Sequence, residues 1–416
     1  MKNVFIIGGG IVGLSSAYYL RLSGCEVTLI DKSDFRDNCS YGNAGYVCPS
    51  HFIPLATPGI VRQGLKWIFN SASPFYVQPR LNYALLEWGI RFIRSATRAK
   101  VEKAAIPLRD ISLLSQKEYE SWASQPGFEF SYQHKGLMEI FQTQQKADQA
   151  LHTVHQALEL GLEAKLLSME ELRLMEPQTR INAMGAIYFG CDAHLYPNRL
   201  MESLNAVLKK MGVRFLPNEE VRGFLTSRAG VEKVVTVNGQ YAADEVVVAA
   251  GSWSREMASQ LHVRIPLVPG RGYSITLENN SYRLNYPAVL MEGRVAITPI
   301  DGNKIRFGGT MEITSTQTPP RIKRVQGILS AVKSYFPDFD TPLPPEDKIW
   351  YGYRPCSADG LPYIGRSRKC KNLVIATGHS MLGLSLGAGT GKLVDEIILD
   401  KPRSMDITPF DVDRFA

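Results

Sequence analysis

Short apolar runs that end in glycine or an acid organise this chain. Val4-Phe5-Ile6-Ile7 runs into Gly8-Gly9-Gly10, and Glu26-Val27-Thr28-Leu29-Ile30 ends at Asp31. Asp244 to Ala250 closes on Gly251-Ser252-Trp253-Ser254, and Asn372 to Thr377 closes on Gly378-His379. Continuous apolar runs of this length, bounded by turn residues, predict strands buried on both faces. Helical periodicity follows the first run, recurs from Pro197 to Met211, and returns after Gly383 through Ile398. Two further strands are predicted at Val213 to Leu216 and Gly230 to Val237. Strands ending in small residues are what a crevice at the carboxyl edge of a parallel sheet requires. The remaining pattern differs. Residues 52–150 carry helical patterns rich in aromatics and arginine, and 265–350 carry short alternating strands with turns such as Asp301-Gly302-Asn303.

The first strand, turn and helix contain GxGxxG at Gly8, Gly10 and Gly13. Gly8 allows the tight turn, Gly10 lets backbone approach a pyrophosphate, and Gly13 lets the helix pack closely on the sheet. The N–H groups of Ile11 and Val12 at the helix start face an anion favourably. Asp31 ends the second strand, where a carboxylate accepts from ribose hydroxyls and repels a 2′-phosphate. A bare glycine motif recurs by chance, but here strand, helix and acid agree on an adenine dinucleotide, FAD or NAD and not NADP. The fold expected is α/β plus α+β. A discontinuous Rossmann-like domain of 1–51, 190–260 and 351–416 is interrupted by a mixed β-sheet domain of 52–189 and 261–350.

With 416 residues, 44% hydrophobic and 21% charged, the chain has ordinary globular composition and room for two or three domains. No apolar stretch suits a bilayer span, and the glycine turn argues against reading the N-terminus as a signal peptide. The location expected is the cytoplasm. Six scattered cysteines without a CxxC, and seven histidines without ligand spacing, predict no metal site. A net charge of +7 suits anionic ligands or an anionic membrane surface, and no nucleic-acid motif accompanies it. Arg62 to Phe69, with Lys66 and Trp67, is a candidate for peripheral contact on the inner face of the cell membrane. Its alternative is a helix whose Trp67 and Phe69 are core.

Ser40-Tyr41-Gly42-Asn43-Ala44-Gly45 follows the second strand; it either lines the dinucleotide or is a plain surface loop. Gly352-Tyr353-Arg354-Pro355 holds an arginine extended before proline, a rigid fork for a carboxylate, with a surface ion pair as the alternative. Gly387 to Lys392 resembles a Walker A loop but lacks its leading glycine and its Ser/Thr, so these glycines are read as close helix packing. His379 is read as orienting its loop or contacting the cofactor, not as a general base.

Together these features resemble the D-amino acid oxidase superfamily of FAD oxidoreductases, most like bacterial D-amino acid dehydrogenases of the small-subunit type. The resemblance covers essentially the whole chain. It runs from GGGIVG with Asp31 through SYGNAG, Ala56-Thr57-Pro58-Gly59 with Lys66-Trp67, and Arg271-Gly272-Tyr273-Ser274. It continues to Arg354-Pro355 with Asp359-Gly360, and Thr377-Gly378-His379 with Leu382-Gly383. It implies non-covalent FAD in extended form, held by the motifs above and by Lys32, Val221, Ala250, Gly251, Trp253, Gly378, His379, Leu382, Gly383, Leu384 and Ser385. Arg354 matches the residue that holds the substrate carboxylate, and Tyr273 one that faces the substrate, with Tyr353 beside them. The C-terminal helix start after Gly378 would point at the flavin N1 and C2 carbonyl. The reaction implied is oxidative deamination of a D-amino acid by hydride transfer to flavin N5, electrons passing to a quinone or respiratory acceptor. Its alternative is a secondary amine such as D-proline, 4-hydroxy-D-proline or sarcosine, oxidised with oxygen as the acceptor. A non-catalytic flavoprotein is disfavoured by the intact Arg354. Gly45-Tyr46-Val47-Cys48 departs from the family, where a polar residue commonly follows the glycine, and leaves the substrate open.

Overall fold

The computed structural model describes residues 1–59, 74–80, 82–278 and 280–416. The Arg62 to Phe69 segment therefore lies outside the described residues. A six-stranded sheet runs Tyr363–Arg366, Leu373–Thr377, Glu245–Val248, Asn3–Ile7, Glu26–Ile30, Arg214–Leu216. All its pairings are parallel except that of the Tyr363–Arg366 edge. Its strands are apolar on both sides because both faces are covered. Helices Ile11–Leu22, Pro197–Lys210 and Gly387–Ile398 pack on one face. A three-stranded sheet of Val221–Ser227, Gly230–Thr236 and Gln240–Ala242, with helix Ser254–Gln260, packs on the other.

The three glycines of the Walker-like stretch lie at the start of helix Gly387–Ile398. A Cβ on Gly387 would stand 2.6 Å from Ile11, one on Gly389 3.0 Å from the Ser115 backbone, and one on Gly391 2.5 Å from Ser15. They let three helices meet at backbone distance, and no phosphate loop is present there. The third of these helices, Arg98–Ala123, corrects the domain assignment of 52–189. Leu108, Ile111, Tyr119 and Trp122 are buried in the core beneath the six-stranded sheet. Tyr19 donates to Glu118 at 2.8 Å and Tyr18 to Gln125 at 2.9 Å. An amphipathic helix records that one face is buried, not which sheet buries it.

The second sheet has nine strands. Its main path runs Trp350–Ser357, Leu267–Leu277, Lys304–Ile313, Val295–Ile300, Ala288–Leu290, Leu137–Phe141, Gly185–Phe189, Ala164–Leu167, and Phe75–Val77 joins Lys304–Ile313. One face buries Ile275, Ile297 and Phe307 against helix Ile322–Tyr335. Trp350–Ser357 overturns the assignment of all of 351–416 to the first domain. It is the edge strand of the second sheet, paired along its length with Leu267–Leu277. After Gly378 the chain makes a 3₁₀ turn at Ser380–Leu382, and the helix begins only at Gly387, later than its pattern predicts.

Candidate active site

The first βα turn is built as its glycines require. Gly8 has φ +114°, and a Cβ there would stand 2.5 Å from the Ala249 carbonyl oxygen. A Cβ on Gly13 would stand 1.9 Å from the Gly8 carbonyl oxygen, far inside van der Waals contact. Gly10 is open: a Cβ there would meet nothing nearer than the Ser40 hydroxyl at 3.6 Å. Ser40 in turn accepts from the Ile11 N–H at 3.0 Å, fixing the loop against the helix start. Asp31 accepts from the Gly9 N–H through Oδ2 at 2.6 Å, and from the Ser33 N–H and hydroxyl through Oδ1 at 2.8 and 2.9 Å. Oδ1 is thereby saturated, and Oδ2 keeps one lone pair for a ribose hydroxyl. Lys32 lies over the Trp253 ring at 3.5 Å from its centroid, closing this end.

From here a single cavity of about 1010 Å³ runs between the two sheets. That is the upper end of the range for ligand sites, large enough for a dinucleotide and a small substrate together. It is lined by Gly8, Gly10, Ile11, Val12, Asp31, Lys32, Ser40, Asn43 and Ala44 from the first half of the motif set. Val221, Ala250, Gly251, Trp253, His379, Leu382, Gly383, Leu384 and Ser385 complete the nucleotide side. Three residues expected there do not line it. Gly13 serves helix packing, as above. A Cβ on Gly45 (φ +89°) would collide with the Leu195 carbonyl, and one on Gly378 (φ +83°) would stand 2.8 Å from the Tyr363 ring. Their task is to bend the chain where a side chain would collide.

Two second-sheet residues, invisible as motifs, hold the Ser40 to Gly45 loop. Arg306 donates to the Tyr41 and Asn43 carbonyls at 2.9 and 2.8 Å, to Asn198 Oδ1 at 3.0 Å and to Thr276 Oγ1 at 3.1 Å. Burial pulls its pKa down to about 10, which still leaves it a cation at neutral pH. Thr298 donates to the Ala44 carbonyl at 2.7 Å. The loop is thus a wall of the cavity and not a free surface loop.

On the substrate side, Arg354 crosses the face of the second sheet. Its guanidinium lies where a side chain on Gly272 would be, and its Nη1 donates to the Thr310 carbonyl. Thr310 itself sits at φ +67°, at an irregularity in the pairing of Leu267–Leu277 with Lys304–Ile313. A β-branched residue there is a strained position, which aims the carbonyl at the arginine. Among the described residues no carboxylate lies within ion-pair distance of Arg354. Burial lowers its pKa, so it is a desolvated cation that gains most from an anion. Trp350, unmarked by any motif, lies across Gly42 and Gly352 on this same face. Paired glycines on two facing segments were the available signal for it.

The two tyrosines are placed differently from the arginine. Tyr273 and Tyr353 both border the cavity, but they alternate with Gly272 and Arg354 along their strands, so their side chains leave the face opposite to that of Arg354. The Tyr273 hydroxyl donates to Glu312 at 3.2 Å and accepts from the Arg321 N–H at 2.8 Å. Glu312 is the buried partner of Arg271, at 2.7 Å. The Tyr353 hydroxyl donates to the Thr316 carbonyl at 2.9 Å. These contacts orient the strands that carry Arg354. His379 is buried with Nε2 at 2.9 Å from the Thr390 hydroxyl, and burial pulls its pKa down to about 3. It is a neutral loop anchor. Asp359 makes a paired ion contact to Arg414 at 2.8 and 3.0 Å, tying down the C-terminal segment.

A fold with a dinucleotide crevice on one sheet and a half-buried arginine on the facing sheet defines a flavin-type oxidoreductase. Residues 3–397 match the FAD dependent oxidoreductase (DAO) family, and the chain belongs to it. A D-amino acid dehydrogenase from Neisseria meningitidis serogroup C / serotype 2a is 32% identical over 408 residues, covering 96% of each chain. Another from Vibrio atlanticus is 29% identical over 405 residues, 95% of each. In fold, the chain is similar to glycine oxidase from Geobacillus kaustophilus (TM-score 0.78, 21% identity, 100% of both chains). It is also similar to L-proline dehydrogenase from P. horikoshii (TM-score 0.75, 20% identity, 100% of this chain and 97% of that one). The protein is an FAD-dependent oxidoreductase. The turn at Gly8, the open approach at Gly10 and the spare acceptor on Asp31 fit that cofactor.

Proposed function

We propose that this enzyme oxidises the α-amine of a D-amino acid to the imine, which water converts to the 2-oxo acid and ammonia. The observation that carries the reading is Arg354: a half-buried guanidinium, anchored on Thr310, presented to the cavity from the sheet that faces the nucleotide crevice. Bound FAD supplies the hydride acceptor. The chain's own residues then have three tasks. Arg354 fixes the substrate carboxylate, the open Gly308 backbone lets the α-carbon approach, and Trp350 and Tyr46 exclude water. No side-chain base is required by this chemistry, in keeping with the neutral, engaged His379. The relatives named D-amino acid dehydrogenase support a D-amino acid as substrate.

The flavin is held without a covalent link. Cys39 borders the cavity with its thiol donating to the Tyr353 carbonyl at 3.2 Å, and Cys356 is buried against Met311. The protein is expected to purify yellow, release FAD into the supernatant on acid precipitation, and bleach anaerobically with D- but not L-amino acids. Colour in the acid pellet refutes the first statement, and bleaching by sarcosine or D-proline alone replaces the substrate class.

The acceptor is a membrane quinone, on the strength of one surface. Helix Tyr83–Ser95 exposes Tyr83 (70%), Leu86 (63%), Ile90 (44%) and Ile93 (56%) at helical spacing, with Arg94, Arg98 and Lys100 nearby. No described helix is long and apolar enough to cross a membrane. An apolar stripe beside cations suits the surface of an anionic bilayer instead. Sedimentation with anionic vesicles at low salt should fall several-fold in Leu86→Asp/Ile90→Asp, with dye-linked turnover in solution unchanged. Equal sedimentation of both proteins, or full-rate hydrogen peroxide formation, would remove this assignment.

A further inference from the structure

Arg306 is a buried cation solvated by neutral groups alone. It is 5% exposed, and the acceptors on its N–H groups are the Tyr41 and Asn43 carbonyls, Asn198 Oδ1 and Thr276 Oγ1. Among the described residues no carboxylate stands within ion-pair distance of it. Glu278, whose field it feels, is exposed and pairs with Lys304 at 3.3 Å. Taking a guanidinium out of water without a counter-charge is costly, which makes such a charge a functional candidate.

The charge acts on the loop that joins the pyrophosphate turn to the substrate side. That loop starts at Ser40, bonded to the Ile11 N–H, and reaches Ala44, whose methyl lies 4.0 Å from where a Cβ on Gly308 would stand. Gly308 is two residues from Thr310, the anchor of Arg354. The ring system of an extended dinucleotide therefore passes along this loop. Gly42 and Ala44 border the cavity there, whereas Arg306 lies behind the loop and does not.

Both loop contacts of Arg306 come from one atom, Nη1, at 2.9 Å from the Tyr41 carbonyl oxygen and 2.8 Å from that of Asn43. In a trans peptide the N–H points opposite to the carbonyl. The N–H groups of Gly42 and Ala44 share those two peptide planes, so both point away from Arg306. Their neighbours are engaged. The Tyr41, Asn43 and Gly45 N–H groups donate to the Asn38 carbonyl at 3.3 Å, the Ser40 carbonyl at 3.2 Å and Asn43 Oδ1 at 2.9 Å. Among the described residues, the Gly42 and Ala44 N–H groups donate to no protein acceptor. A cation on the carbonyl end of an amide strengthens the N–H at its other end as a donor.

We propose that Arg306 is a positioning residue for the flavin: through two peptide planes it aims and polarises the Gly42 and Ala44 N–H groups, which donate to the ring and raise its affinity for electrons. The guanidinium nitrogen lies about 5 Å from each of these amide nitrogens, one hydrogen bond plus one peptide width. A unit charge within about 10 Å, at the effective dielectric of a protein, changes the equilibrium between neutral and anionic ring by about ten-fold or more. The proposal rests on the FAD-dependent chemistry and not on which amine is oxidised.

The test reads the flavin of the holoenzyme with no amine present. Two quantities are measured: the midpoint potential for two-electron reduction, and the dissociation constant of sulfite, a nucleophile that adds to an electron-poor oxidised ring. Arg306→Gln should weaken sulfite binding by at least about ten-fold and lower the potential by about 30 mV, which is ten-fold in the equilibrium constant. Arg306→Lys keeps the charge and should stay within about three-fold of wild type. Asn198→Asp leaves Arg306 in place and sets a carboxylate against it, in the first turn of helix Pro197–Lys210, where an acid is favoured. It should shift both readings in the direction of Arg306→Gln, and it decides the matter if Arg306→Gln fails to hold FAD. Thr298→Val removes the anchor on the Ala44 carbonyl without altering charge, so both readings should stay near wild type. Wild-type readings in Asn198→Asp, an equal shift in Thr298→Val, or Arg306→Lys as low as Arg306→Gln overturns the proposal. Failure of the amine-oxidising reading leaves this test intact.

Discussion

Arg354→Ala is expected to retain FAD and a near-normal flavin spectrum while losing turnover of every amino acid. The guanidinium contacts the Thr310 carbonyl and no other described hydrogen-bond partner, so its removal frees one carbonyl facing a polar cavity. What is lost is a desolvated, charge-assisted fork for the substrate carboxylate, costing on the order of 2–5 kcal/mol, or about thirty-fold to several thousand-fold in kcat/KM. Arg354→Lys should recover little, because an ammonium offers a point charge where two parallel donors are needed. The measurement is anaerobic flavin reduction against substrate concentration. Equal bleaching by Arg354→Ala and wild type would remove Arg354 from the site. Tyr273→Phe is the contrasting case. Its hydroxyl sits between Glu312 and the Arg321 N–H on the opposite face, so any effect should come as lost stability with substrate affinity retained.

Gly13→Ala is expected to abolish FAD retention. One added methyl collides with the Gly8 carbonyl oxygen, and that atom is backbone in the turn facing the pyrophosphate. No rotamer can relieve the clash, so helix Ile11–Leu22 must move away from the strand or the turn must open. Overpacking of this kind costs about 3 kcal/mol, roughly a hundred-fold in FAD affinity if it falls wholly on the bound state. Gly89→Ala is the control. Gly89 lies inside helix Tyr83–Ser95 with nothing within 4 Å of the added methyl, so it should leave FAD alone and stabilise the helix by up to about 1 kcal/mol. The check is FAD content after gel filtration together with a thermal melt. A fully yellow Gly13→Ala protein of normal Tm would refute the packing account.

What the sequence determined by itself is what depends on neighbours along the chain. Gly8, Gly13 and Asp31 declare the nucleotide crevice because turn, helix and strand end lie within one continuous βαβ unit. The same holds for the strand ends at Ala250 and Thr377, and for Gly387, Gly389 and Gly391, whose spacing on one helix marks close packing. Only the tertiary structure decided which sheet each element joins. Helix Arg98–Ala123 went to the nucleotide domain and strand Trp350–Ser357 to the second sheet, because burial leaves the same mark on a sequence whatever buries it. Facing was decided there too. Tyr273 and Arg354 lie on paired strands, yet a three-residue offset in register, an odd number, puts their side chains on opposite faces. Arg306 and Trp350 act through residues far from them along the chain. No local pattern announces a residue whose role is set by the strand that happens to lie beside it.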